Sequence, residues 1–382
     1  MTQHYRFSAP GRTEIGGNHT DHQHGCVLAA AVDLHTTADV TLNGTNIIRA
    51  RSEGFSDFQI DLRDLSVHPE ERNTSAALVR GIAAAFAQRG TSLTGFDMSV
   101  RSDVLPGSGL SSSAAFEVLV STICNTLFCE NRLTPVEIAK ISQYAENVYF
   151  GKPCGLMDQM ACAAGGLVFM DFQNETPVVT KIDFDFLKEG YALCIIDSGG
   201  NHADLTDEYA AITRELRDLC AFFGKDYLRQ IPQSVFMETL PRLRGQVPDR
   251  AILRAIHVYR ENTRVLAQVQ ALQQGNMMDF LALVKESGQS SWMYLQNIAP
   301  AGAIDALPVA FALALCDTLL GDKGAWRVHG GGFAGTVQAY VPLQLLDNFT
   351  EQIRANLGDD SCRVLQLCPT GSGAISPDSL LG

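Results

Sequence analysis

The chain carries ten cysteines, from Cys26 to Cys368, yet no Cys-x-x-Cys pair. That absence removes the zinc-ribbon and dithiol-redox classes. Most of these residues sit in apolar stretches, such as Cys124 after Val120-Ser121-Thr122-Ile123 and Cys194 in Leu193-Cys194-Ile195-Ile196. A reduced thiol packs there as a small hydrophobe. Basic charge is scarce too: 29 Lys and Arg face 42 Asp and Glu, a net charge of −13. Nucleic-acid and anionic-membrane binders need a basic surplus, so neither is an expected partner. No apolar run approaches the ~20 residues of a membrane span. The opening residues, Met1-Thr2-Gln3-His4-Tyr5-Arg6, lack a signal-peptide core, which predicts a cytoplasmic chain. Low-complexity tracts and solenoid-period repeats are missing. So is the nucleotide fingerprint GxxxxGK[ST], and the glycine–serine loop over 105–115 is not a GxGxxG fingerprint either.

What is present is a globular composition, 46% apolar and 19% charged over 382 residues. That length suggests two domains at roughly 150 residues each. Alternating apolar residues predict strands near 27–40, 58–62 and 96–100, with a helix over 74–88. A second helix follows Ser113, because Phe116, Leu119, Val120, Ile123 and Leu127 recur at helical spacing. Thr134-Pro135-Val136-Glu137 reads as a capped helix start. Strands return over 165–197, helices dominate 205–290, and strands close the chain around 336–341 and 363–367. This order predicts an α+β fold. The domain change is expected after the Asp197-Ser198-Gly199-Gly200 turn, giving domains 1–197 and 198–382.

Three loops carry chemistry. In Leu105-Pro106-Gly107-Ser108-Gly109-Leu110-Ser111-Ser112-Ser113-Ala114-Ala115, glycines admit close approach of an anion. The first amides of the following helix point at it, and the helix dipole adds about 0.3–1 kcal/mol. The three serines can donate to phosphate oxygens or ligate Mg²⁺, whereas a plain N-cap on a buried helix is the bland alternative. The second segment runs from Ala9 to Gly25 and reads as a turn between strands. It gathers Arg12, Asn18, His19, Asp21, His22 and His24, a set suited to gripping a polyhydroxylated ligand. His19, His22, His24 and Cys26 also admit a metal, but their spacing matches no common zinc motif. The third, Arg327-Val328-His329-Gly330-Gly331-Gly332-Phe333-Ala334-Gly335, is either a tight hairpin or a close backbone contact. Two acids complete the set. Asp158 lies among apolar neighbours in Cys154-Gly155-Leu156-Met157-Asp158-Gln159-Met160. Glu146 follows Thr134 on a helix whose apolar stripe is Ile138, Ile141, Ala145 and Val148. At ~100° per residue it lies about 120° off that stripe, so periodicity places it in solvent.

Taken together, these segments resemble the galactokinase family of GHMP kinases. Gly11-Arg12 to Asp21 resembles the sugar signature, Pro106 to Ala115 the phosphate loop, and Cys154 to Gln159 the catalytic segment. Arg254, His257-Val258 and Glu261-Asn262 resemble a helical segment of that family, and Gly330 to Gly335 its third motif. The resemblance implies a two-domain GHMP kinase fold, N-terminally ribosomal protein S5 domain 2-like and C-terminally a ferredoxin-like α/β sandwich, with the site in the inter-domain cleft. It implies an ATP- and Mg²⁺-dependent kinase acting on the C1 hydroxyl of galactose or a galactose-like sugar, as a monomer or weak dimer. Asp158 would face that hydroxyl as base or electrostatic orienter, and Arg12 would neutralise the transferring group. Gly107, Ser108, Gly109, Leu110, Ser111, Ser112 and Ser113 would cradle ATP phosphates, with Ser113 and Glu146 holding Mg²⁺. Asn18, His19, Asp21, Gly155 and Tyr209 would hold the sugar.

Two departures stand out. The family's Glu-His-Thr-Asp-Tyr is Asn18-His19-Thr20-Asp21-His22 here, and no basic residue follows in Asp197-Ser198-Gly199-Gly200-Asn201-His202. Asn in place of Glu tolerates a C6 carboxylate, and His22 and His24 would supply positive charge to it. A galacturonate or N-acetylhexosamine kinase is therefore the alternative. A non-catalytic sugar sensor conflicts with the intact phosphate loop, and a kinase for a non-sugar alcohol conflicts with His19-Thr20-Asp21.

Overall fold

The computed structural model describes residues 4–104, 109–200, 205–333 and 335–375. In chain order the first half comprises β1 (His4–Gly16), β2 (Cys26–Leu42), β3 (Ile47–Ser52), β4 (Phe58–Asp61), α1 (Ser75–Gln88), β5 (Phe96–Ser102), α2 (Ser112–Cys129), α3 (Pro135–Tyr144), α4 (Met157–Ala164), β6 (Leu167–Asp171) and β7 (Val178–Ile182). The second half comprises β8 (Tyr191–Asp197), α5 (Thr206–Phe222), α6 (Gln233–Leu243), α7 (Asp249–Gln273), α8 (Met277–Ser290), α9 (Pro308–Leu320), β9 (Ala325–His329), β10 (Thr336–Pro342), α10 (Leu346–Leu357), β11 (Cys362–Leu365) and β12 (Gly373–Ala374). One sheet runs β12-β1-β2-β5-β3-β4, with β6 and β7 continuing beside the first turn-proximal part of β2. The other runs β11-β8-β10-β9, all antiparallel. The expected α+β class is therefore the one observed.

Two expectations need correction. The segment from Ala9 to Gly16 is strand rather than loop: β1 pairs with β2 from His4↔Thr41 to Gly16↔Leu28, bulging at Pro10/Gly11 and Glu14/Gly16. Every residue from Ala9 to Gly16 is buried, so the strand shows no polar–apolar alternation. The layer change also comes before β8, because Tyr191–Asp197 lies between β10 and β11 in the second sheet. A division after Asp197 would cut a central strand from its partners. The chain then crosses back, since Leu367 bridges Val32 and β12 pairs with β1.

Helix α2 is long and apolar enough to cross a membrane by composition alone. It is a core helix here: Val118, Leu119, Val120 and Ile123 are fully buried, and the helix packs on β1 and β2. All ten cysteines are unpaired, nine of them buried. The two layers share one core through Phe186, Phe280 and Tyr340, whose ring centroids lie 5.1–5.5 Å apart.

Polar side chains of the second sheet also grip β1. Arg327, fully buried on β9, forms an ion pair with Glu14 and donates to Ile15 O at 2.8 Å. Gln338 Nε2 donates to Thr13 Oγ1 at 2.8 Å and Glu14 O at 2.9 Å. His329 Nε2 accepts the Glu14 amide at 3.1 Å, so the ring proton sits on Nδ1 and is donated to Thr336 Oγ1 at 2.9 Å. Breaking a buried pair leaves the surviving charge uncompensated. Arg327→Met is therefore expected to cost about 3–5 kcal/mol in urea unfolding. A loss below about 1 kcal/mol would show that this clamp is not what holds β1.

Candidate active site

The end of β1 delivers Arg12 to three chain segments at once. Its Nε donates to Asp158 Oδ1 at 2.7 Å and its Nη2 to Asp158 Oδ2 at 2.8 Å. Its Nη1 donates to Gly109 O at 2.5 Å, and its backbone amide to Leu110 O at 3.2 Å. Ser111 Oγ adds a third bond to Asp158 Oδ2, at 2.7 Å. Burial alone would raise the Asp158 pKa, but the Arg12 charge, its paired hydrogen bonds and the Ser111 hydroxyl together hold it below the ordinary carboxylate value. Asp158 is thus ionised, and its side chain, 30% exposed, faces a cleft of about 520 Å³.

Across that cleft lies the turn after β1. Asp21 accepts the His22 amide at 2.8 Å, and a Cβ on Gly155 would overlap its carboxylate, so Gly155 makes room for the acid. Burial, then the nearby Asp158 charge, pushes the Asp21 pKa up to about 6. His19 and His22 form a relay. His19 donates from Nε2 to Gly331 O at 3.2 Å, leaving Nδ1 to accept from His22 Nε2 at 3.2 Å. Burial, reinforced by the facing His22, lowers the His19 pKa to about 3, and burial lowers that of His22 to about 4. Both rings are neutral at pH 7. They do not supply the positive charge expected of His22 toward a uronate, and both nitrogens of His19 are already engaged. His24 stands apart, stacked on Tyr227 at 3.9 Å.

Asn18 also departs from expectation. Its Nδ2 donates to Glu14 Oε1 at 3.1 Å and Gly330 O at 2.6 Å, and its Oδ1 accepts from Asn297 at 3.0 Å and Ser291 at 3.4 Å. The amide has no free position for a sugar hydroxyl and acts instead as a strut between β1 and the glycine loop. Tyr209 donates to Gly332 O at 3.0 Å, and a Cβ on Gly331 would strike its ring. The third loop thus turns the antiparallel pair β9–β10, and its backbone also packs closely on Tyr209. Helix α7 secures the turn from behind. His257 Nε2 donates to Asn18 O at 3.0 Å, Glu261 Oε1 accepts the Gly17 amide at 3.1 Å, and Asn262 Oδ1 accepts the Cys26 amide at 2.7 Å. Arg254 lies deeper, on Glu215 at 2.8 Å and Leu295 O at 3.1 Å.

Of the phosphate-loop residues, Gly107 and Ser108 lie outside the described residues. Leu110 is fully buried and offers only backbone. Ser111, in a left-handed conformation at φ 56°, turns its hydroxyl to Asp158 and away from a phosphate. Gly109, Ser112 and Ser113 line the cleft, where the first amides of α2 have no intrahelical acceptor. Glu146 is 3% exposed, not solvated. The helix widens to π-helical turns over Ala145–Phe150, which rotates Glu146 inward and leaves Val148 43% exposed. Glu146 Oε2 accepts from Gln159 at 2.8 Å, and the same amide nitrogen reaches Glu117 at 3.0 Å. Glu117 Oε1 is buried without a hydrogen-bond partner. Among the described residues, no three His, Cys, Asp or Glu converge as a metal site.

Sequence reasoning missed Glu14, Arg327 and His329, whose long-range pairing leaves no local pattern. It also missed Lys152, a lone cation just ahead of the catalytic segment; its head group lies 3.4 Å from Glu146 Oε1. Another hollow, of about 540 Å³, lies around Trp292, Trp326 and Leu313 but gathers only Lys285 and Asp317 as charged groups. The cleft, with its convergent acids and cations, is the candidate functional site.

Known proteins point the same way. The family described as GHMP kinases N terminal domain matches residues 77–166, and the Galactokinase galactose-binding signature matches residues 2–41. The fold is similar to that of the Lactococcus lactis galactokinase solved in complex with galactose, with a TM-score of 0.85 and 22% identity over 98% of this chain and 95% of that one. A mevalonate kinase structure superposes with a TM-score of 0.66 at 14% identity, covering 95% of this chain and 99% of the other. The architecture is that of a GHMP kinase. A galactokinase from Streptomyces coelicolor is 30% identical over 370 residues, 95% of this chain and 92% of the relative. One from Glaesserella parasuis is 30% identical over 93% of this chain and 91% of its own length. The chain belongs to the galactokinase family.

The raised Asp21 pKa has a measurable sign. Its folded value of about 6 exceeds the unfolded carboxylate value, so the penalty for charging it is absent at pH 4 and grows as pH rises through 6. Asp21→Asn is expected to stabilise the protein by about 2 kcal/mol at pH 8 and by little at pH 4. Equal urea midpoints for variant and wild type at pH 8 would contradict it.

Proposed function

We propose that the chain transfers the γ-phosphoryl group of ATP to the anomeric C1 hydroxyl of galactose. The observation that carries this reading is the ionised Asp158, held by Arg12 and Ser111 beside the amino terminus of α2. Phosphoryl transfer needs alignment and charge neutralisation above all. Asp158 accepts a hydrogen bond from the C1 hydroxyl and aligns its oxygen. With its pKa held low, it is a weak base, so orientation is its main task and proton acceptance comes late. Arg12 keeps it ionised. The α2 amides and the hydroxyls of Ser112 and Ser113 receive the nucleotide phosphates. Asp21, accommodated by Gly155, accepts from a sugar hydroxyl.

The residues also fit Mg²⁺. A Ser113 hydroxyl, a Glu146 carboxylate and the unpartnered Glu117 oxygen behind them are hard oxygen donors, too few for an all-protein cage, as suits an ion that keeps waters and phosphates as ligands. Ser113 and Glu146 would hold the ion, which supplies neutralisation of phosphate charge. Galactose is favoured over a uronate because His19 and His22 are neutral and Asn18 is fully engaged, so none of these three meets a C6 carboxylate with a charge or a free donor. ATP and free sugar meet in the cytoplasm, the compartment this reading assigns.

With MgATP and galactose, phosphorus NMR is expected to show a sugar 1-phosphate. Asp158→Asn should lower turnover by about 10²–10⁴-fold while calorimetry still detects MgATP binding. No product from galactose, or undiminished turnover in the variant, would overturn the assignment.

A further inference from the structure

Arg12 and Lys152 are the only Lys or Arg side chains among the described residues lining the cleft. Arg12 is committed: three of its N–H groups are on Asp158 and Gly109 O, and the residue is buried. Its charge stabilises an acid before any nucleotide arrives. No basic residue follows β8 through Gly200 either. A transferring phosphoryl group spreads negative charge over three oxygens, and a second cation is needed where that charge develops.

Lys152 has the right placement. Its backbone is pinned, because its amide donates to Glu146 O at 3.2 Å and the Cys154 amide two residues on donates to Asn147 Oδ1 at 2.8 Å. Its side chain is 61% exposed, and its ammonium lies 3.4 Å from Glu146 Oε1, a long and loose pairing. The stem is therefore anchored four residues short of α4, while the head is free to swing across the cleft that also holds Asp158, Ser112 and Ser113. A compact ammonium on a flexible stem suits a phosphate that moves during reaction.

We propose that Lys152 contacts the γ-phosphoryl oxygens during transfer, exchanging its resting pairing with Glu146 for the phosphate. This rests on the kinase reading above. In the step it serves, the bond from the sugar C1 oxygen to phosphorus forms and the bond from phosphorus to the β–γ bridging oxygen breaks. ADP leaves with that electron pair, and the hydroxyl proton passes toward Asp158. Lys152 remains protonated throughout and touches the group in flight, which makes it a catalytic residue of this reaction.

The test compares wild type with Lys152→Met and Lys152→Arg. For Lys152→Met, kcat with galactose is expected to fall about 10²–10³-fold. KM for galactose should change less than about threefold, because the contact belongs to the transition state rather than to sugar binding. Lys152→Arg should recover at least about tenfold of the loss, since the charge returns on a different geometry. A calorimetric readout separates contact with the γ-phosphate from a general structural role. Lys152→Met should weaken binding of a non-hydrolysable ATP analogue with Mg²⁺ about tenfold while leaving MgADP affinity unchanged. Wild-type kcat in Lys152→Met, or equal weakening of the two nucleotides, would overturn the proposal. Should the wild-type chain leave galactose untouched, the kinase reading on galactose falls, and the contrast between the two nucleotides still decides on Lys152.

Discussion

The guanidinium of Arg12 sits where three distant parts of the chain meet. It pairs with Asp158 on α4, binds the carbonyl of Gly109 ahead of α2, and rides on β1, whose following turn lines the other side of the cleft. The pair solves a charge problem in both directions. Burying Asp158 near Asp21 would otherwise neutralise it, and burying Arg12 without an anion would be costly. Because the geometry is bidentate, it also sets orientation: one rotation of the carboxylate satisfies Arg12 and Ser111 together.

For Arg12 to sit there, β1 has to be deep and fixed in register between its two bulges. The second sheet achieves this with side chains rather than strand pairing. Arg327, His329 and Gln338 reach from β9 and β10 onto Thr13, Glu14 and Ile15. Asn18 then links Glu14 to the glycine loop, and α7 holds the turn from the far side. The layers thus meet along the strand that carries Arg12, and their apolar core closes beneath it around Tyr340. This arrangement also accommodates a chain of net charge −13 that binds a polyanion. The groups that can meet phosphate are local, the amides at the start of α2 and the Lys152 ammonium, so the acidic surplus does not have to be reversed globally.

Much of this was legible in the residues. The glycine–serine loop ahead of α2, the Thr134 capping box, Asp158 among apolar neighbours and the long helical stretch all follow local rules, and local rules are what a sequence displays. The losses have physical causes. Segment 9–16 reads as a loop because a strand buried on both faces, with Pro10 and Gly11 at a bulge, shows no alternation. Glu146 reads as solvated because α-helical periodicity fails where the helix becomes π-helical. Asn18 reads as a sugar ligand because its partners, Glu14, Gly330 and Asn297, include two that come from some 300 residues away. Lys152 carries no pattern at all; only the surrounding cleft shows what it faces.

If Arg12 and Asp158 act as one unit, their losses must not add. The decisive measurement is a double-mutant cycle on kcat/KM for galactose phosphorylation, using Arg12→Met, Asp158→Asn and the double variant. The account predicts that the double variant is no more than about tenfold slower than the worse single variant, because removing either partner already dismantles the unit. Losses that multiply, so that the double variant falls by the product of the two, would show that the residues act independently and would contradict it.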